Sequence, residues 1–228
     1  MAAARWSLAE IVTRLRVEHG AQASPPTEDV LGLVLWENVA YLTSDAKRRA
    51  AFERLREATE LDASCIAALS DDELRAIVAA PGSLADIQME KLRAIAALTR
   101  EETGGTLESI REMPRAAAKK ALRRYPAVGE PGADKILLFS GTAAVFTLES
   151  NGLRVLVRCG FGEQMSNYGK MLQSVLMAAA EEAPRKMTWM REAHLLLHRH
   201  GQATCTLKSP ACGTCPLRTR CPASTLGH

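Results

Sequence analysis

Residues 205–221 read CTLKSPACGTCPLRTRC, so that Cys205, Cys212, Cys215 and Cys221 stand in the pattern C-x6-C-x2-C-x5-C. Four soft donors in so short a loop can close tetrahedrally around a metal or a cluster. Thiolates serve an iron–sulfur cluster and a structural zinc alike, and donor chemistry by itself does not separate the two. Disulfides are the less natural use. Residues 1–19 interleave Arg5, Glu10, Arg14, Arg16 and Glu18 with apolar side chains, which is unlike a secretory leader. No uncharged run approaches the ~20 residues that cross a bilayer. The expected location is cytoplasmic, or nucleoid-associated in a bacterium, where thiols stay reduced. Cys65 and Cys159 fall outside the pattern and read as ordinary buried thiols.

Outward from the loop, the 228 residues are 47% hydrophobic but only 4% aromatic, with Ala and Leu dominant. Strands draw on β-branched and aromatic side chains, so the composition predicts an all-α chain with a substantial core. Helical periodicity is read over residues 4–20, 46–58, 85–103, 170–183 and 187–200. Ser70 and Glu73 have the capping-box spacing, and Gly201 reads as a C-cap glycine. The net charge is only +3 but is unevenly spread. Arg115, Lys119, Lys120, Arg123, Arg124 and Lys135 outnumber Glu130 and Asp134, and a second basic excess covers residues 184–221. Such segments are either solvated helix faces or polyanion-binding surfaces.

Between the basic helix and an apolar one, residues 125–135 read YPAVGEPGADK. A glycine-containing turn that opens a helix exposes N–H groups able to bind phosphate without reading sequence.

This hairpin and the cysteine loop, with HGQAT at residues 200–204 before it, together resemble the helix-hairpin-helix DNA glycosylase superfamily. The likeness is to its endonuclease III branch. Pro126, Val128 and Gly129 match that family's Leu-Pro-Gly-Val-Gly turn, with Ala127 in place of the first glycine. The resemblance implies a six-helix barrel with the helix-hairpin-helix over residues 25–141. It also implies a second helical domain, formed by residues 1–24 and 142–228, that holds a [4Fe–4S] cluster on Cys205, Cys212, Cys215 and Cys221. The partner it implies is double-stranded DNA carrying a damaged or mispaired base, bound by a monomer with no membrane association. Ala127, Val128, Gly129, Gly132, Lys208, Arg218 and Arg220 would then contact phosphates.

The family's catalytic Asp, which normally lies in Val-Asp-Thr-His, falls on Glu149 in TLESNGLRV at residues 147–155. The alternative is that Glu149 only caps the following helix. Asn151 takes the place of the family's His and would help hold a phosphate or water. The family's lyase lysine falls on Pro131, which has no amine. Lys135 lies about one turn later and reads as pointing elsewhere on the helix. In WENVAY, residues 36–41, Asn38 aligns at or beside the glutamine that fills the gap left by a flipped base. Trp36 or Tyr41 would stack on the extruded base and Glu37 would protonate or hydrogen-bond it. The same aromatics also fit a core with satisfied polar tips. The function so implied is a monofunctional DNA glycosylase, which excises a base without efficient lyase activity. The alternatives are a non-catalytic damage-binding protein and a redox-responsive iron–sulfur protein.

Overall fold

The computed structural model describes residues 5–40, 44–78 and 84–225. Among these there is no strand, and no helix is long and apolar enough to cross a membrane. In chain order the helices are α1 (Leu8–His19), α2 (Val30–Asn38), α3 (Asp45–Thr59), α4 (Ala63–Ala68), α5 (Asp71–Val78) and α6 (Ala85–Thr103). They continue with α7 (Arg115–Leu122), α8 (Glu130–Phe139), α9 (Ser150–Arg158), α10 (Tyr168–Ala180) and α11 (Met187–Ala203). Two compact units result, one of residues 25–143 and one of residues 1–24 with 144–228.

In the first unit α2 is buried along nearly its whole length, which explains why its run of Val and Leu shows no amphipathic period. It packs against α6 and α8, while α4 and α5 lie on α6. Phe52, Leu55, Ile66, Leu74, Leu92 and Ile95 fill the centre, each removing roughly 1.5–3 kcal/mol of apolar surface from water. Helix ends are set as the sequence dictates. Ser70 and Glu73 form the reciprocal capping box, and α6 stops at Gly104, which takes the left-handed conformation.

In the second unit α11 packs on both α9 and α1. Here α1 begins at a capping box of Ser7 and Glu10, and pairs Arg16 with Glu192 of α11. Residues 143–149 are irregular but bury Val145, Phe146 and Leu148. Gly201 does not end its helix, since α11 runs on to Ala203. Its lack of a side chain serves close approach instead, because a Cβ there would stand 2.7 Å from both Cβ and O of Asn151. That contact fixes how near α11 lies to the start of α9.

Gly201→Ala should therefore force the two helices apart and destabilise the protein by about 1–3 kcal/mol in urea melts. An unchanged midpoint would contradict the close-approach reading.

Candidate catalytic and cysteine-loop sites

In the unit of residues 25–143, α7 leads through the turn to α8. Ala127 has φ +55°, the left-handed conformation for which glycine is favoured, so alanine stands where the backbone asks for no Cβ. The first turn of α8 leaves the N–H groups of Glu130 and Gly132 without intrahelical acceptors, and Pro131 contributes none. With Gly129, the N-cap residue, they make up the donor-rich start of the helix. Val128 differs from expectation. Its N–H donates to the Tyr125 carbonyl at 3.2 Å and its side chain is buried, so it shapes the turn rather than offering a donor.

The basic helix is largely neutralised from within. Lys119 and Arg115 both reach the Asp134 carboxylate, at 2.7 and 3.2 Å. Arg123 pairs with Glu130 and Arg124 with Glu102. Lys120 is exposed and forms no ion pair among the described residues. Lys135 lies four residues beyond Pro131, on the same face of α8, which corrects the expectation that it points elsewhere. Its amine is 2.6 Å from the Glu37 carboxylate, with both side chains only 17% exposed.

That pair also changes the reading of the WENVAY segment. Glu37 is committed to Lys135 rather than presented to a base. Asn38 is buried, and its amide nitrogen donates to the carbonyls of Val34 and Pro126, both at 2.9 Å, so it braces the hairpin instead of filling a gap in DNA. Trp36 is a core residue, edge-on to Phe52 with ring centroids 5.5 Å apart. Tyr41 lies outside the described residues.

In the other unit Glu149 is the N-cap of α9. Its Oε1 accepts the Gly152 N–H at 2.7 Å, and Oε2 accepts the Asn151 N–H at 2.8 Å and the Asn151 side-chain amide at 2.9 Å. His198 Nδ1 lies 3.2 Å from Oε1. Burial on its own would raise the Glu149 pKa, but the His198 contact and the backbone N–H groups outweigh it and hold the carboxyl at about 2. Asn151 is engaged at both ends, since its Oδ1 accepts from Arg154 at 2.7 Å, so it orients Glu149 rather than waiting for a phosphate. Sequence reasoning missed His198, which no motif marks. Only the packing of α11 on α9 brings it to the carboxylate.

Helix α9 also reaches the cysteine loop. Arg154 donates to the carbonyls of Cys205 and Gly201, and Arg158 to those of Thr206 and Leu207. Cys205, Cys212, Cys215 and Cys221 line one small cavity. Arg158 approaches Cys205 Sγ at 3.3 Å, and the Leu217 N–H donates to Cys215 Sγ at 3.4 Å. Trp6 Nε1 donates to the Leu217 carbonyl at 2.9 Å and ties α1 to the loop. Lys208 and Arg218 are exposed, the latter bonded to the Gly213 carbonyl, whereas Arg220 turns toward Trp6 and Glu10. Cys159 is buried against Cys221, as expected of a packed thiol, but Cys65 is exposed, contrary to expectation.

The fold so described is shared with solved DNA glycosylases. Among solved structures, an endonuclease III trapped as a covalent intermediate with DNA superposes with a TM-score of 0.75 at 17% identity, covering 97% of this chain and 98% of that one. A thermostable thymine-DNA glycosylase also gives 0.75, at 16% identity over 96% of this chain and 95% of its own. The 3-methyladenine DNA glycosylase of H. pylori, bound to 1,N6-ethenoadenine, gives 0.64 at 15% identity over 86% and 98%. No protein-family model matches the chain and no curated protein does.

A carboxyl whose pKa falls on folding adds stability that is full above its ordinary value near 4.5 and is lost as pH falls through about 2. Glu149→Gln should thus cost about 1–3 kcal/mol at pH 7. The gap between native and variant urea midpoints should narrow by pH 3. An equal gap at both pH values would contradict the ionised cap.

Proposed function

We propose that the chain is a DNA repair glycosylase that hydrolyses the N-glycosidic bond of a damaged or mispaired nucleotide in duplex DNA and makes no Schiff base. The observation that carries the reading is Glu149, a fixed and ionised carboxylate at the N-terminus of α9, on a fold shared with DNA glycosylases. As the C1′–N bond breaks, the base leaves with the bonding electrons and positive charge develops on the sugar. A carboxylate already oriented by donors from Ser150, Asn151, Gly152 and His198 stabilises that charge without reorganising. Held at about 2, the carboxyl is ionised at neutral pH and acts through charge and position. Water then adds at C1′, the proton it loses passes to the departed base, and an abasic sugar remains.

Lyase chemistry needs an amine that reaches C1′. Pro131 has none, and the Lys135 amine is held in an ion pair with Glu37. DNA phosphates would be met by the N–H groups of Gly129 and Gly132 in one unit and by Lys208 and Arg218 in the other, contacts that position without specifying sequence.

The four loop cysteines fit a [4Fe–4S] cluster. They share one cavity, and Arg158 and the Leu217 N–H are directed at two of the sulfurs, donors that suit sulfur ligands carrying negative charge. When bound, the cluster would supply rigidity to a loop that carries Lys208 and Arg218.

The test is a panel of duplexes, each with one lesion, scored separately for base release and strand scission. At least one base should be released, leaving a strand that breaks only in hot alkali, with no borohydride-trapped adduct. Glu149→Gln should lose on the order of 10²–10³-fold in rate, with affinity for an abasic analogue nearly unchanged. Damage-selective binding with no release from any lesion would replace the enzyme by a sensor, and efficient trapping would make Lys135 a nucleophile.

A further inference from the structure

His200 is fully buried on α11 and both of its ring nitrogens are engaged. Nε2 lies 3.5 Å from Cys215 Sγ, and Nδ1 lies 3.0 Å from Nε2 of His19, in the last turn of α1. The backbone of the same residue holds a second loop cysteine, since the Cys205 N–H donates to the His200 carbonyl at 2.8 Å. One residue thus fixes two of the four thiols, one through its ring and one through its main chain.

The direction of the hydrogen bonds follows from the chemistry of the acceptor. A ligand thiolate only accepts, so Nε2 of His200 must carry the hydrogen. The remaining nitrogen of the neutral ring then accepts, and His19 donates to it. The order is His19 Nε2–H to His200 Nδ1, and His200 Nε2–H to Cys215 Sγ. His19 is only partly buried, and it joins α1 to the loop although it is far from the cysteines in sequence.

We propose that His19 and His200 form a two-imidazole relay that positions the Cys215 sulfur, draws electron density from it, and so raises the reduction potential and slows the loss of a bound iron–sulfur cluster. The inference rests on the cluster reading of the loop. A hydrogen bond donated to a ligand sulfur stabilises the more negative, reduced state, so its removal lowers the potential. Both histidines are positioning residues. Neither is a ligand.

The experiment compares the native protein with His200→Leu, His19→Leu and His19→Gln, by redox titration and by the rate of iron loss to a chelator at neutral pH. His200→Leu should lower the potential most, and His19→Leu should lower it in the same direction. Iron loss should quicken by about tenfold or more. His19→Gln, whose amide nitrogen can donate in place of the imidazole, should restore the native values. If His200→Leu does not fold, the two His19 variants decide the matter, because that position is partly exposed. Native potential and native iron retention in His19→Leu would overturn the relay while leaving the cluster in place. A native chain that binds no iron would overturn the cluster reading and the relay with it.

Discussion

The C-terminal unit depends on the grip of two guanidinium groups on main-chain carbonyls. Residues 205–221 offer few large apolar side chains for a core of their own. Leu217 is buried while Leu207 is 70% exposed. The loop is held instead by Arg154 and Arg158 from α9, by Trp6 from α1 and by the main chain of His200. Charged donors to carbonyl oxygens are the stronger kind of hydrogen bond, and losing one leaves a part-buried acceptor unpaired. The same helix begins at Glu149, and Asn151 joins its carboxylate to Arg154. The candidate carboxylate and the cysteine loop therefore share one rigid support, α9, which is why the side chains that orient Glu149 are already spoken for.

Charge behaves differently in the two units. In the hairpin unit the bases that stand out in the sequence are mostly paired. Lys119 and Arg115 converge on Asp134, Arg123 meets Glu130 and Arg124 meets Glu102. The exposed pairs, Arg123 with Glu130 and Arg124 with Glu102, add little to stability, whereas the buried Asp134 carboxylate needs its cations for compensation. At the cysteine loop the balance is reversed, since Lys208 and Arg218 face solvent without carboxylate partners among the described residues.

Much of this was legible in the residue order. Low aromatic content, capping pairs such as Ser70 with Glu73 and the cysteine spacing pointed to helices and to the loop because each is a local property. What escaped was tertiary. Gly201 looks like a helix stop in sequence, and only the approach of Asn151 explains it. Trp36, Glu37 and Asn38 have the chemistry of a base pocket, yet packing gives them to Phe52, Lys135 and the Pro126 carbonyl. Glu149 is a helix cap, as one of its two readings had it, and the donors that make it a cap also hold its carboxyl well below the usual range. Ala127 keeps the left-handed turn at an energetic cost that a sequence comparison registers only as a mismatch.

The proposed iron–sulfur cluster on the four cysteines of the loop pinned by α9 is checked by measuring iron, acid-labile sulfide and zinc per chain in protein isolated without air. About four irons and four sulfides are expected, with broad absorption near 400 nm. One zinc per chain with neither iron nor sulfide would contradict the cluster.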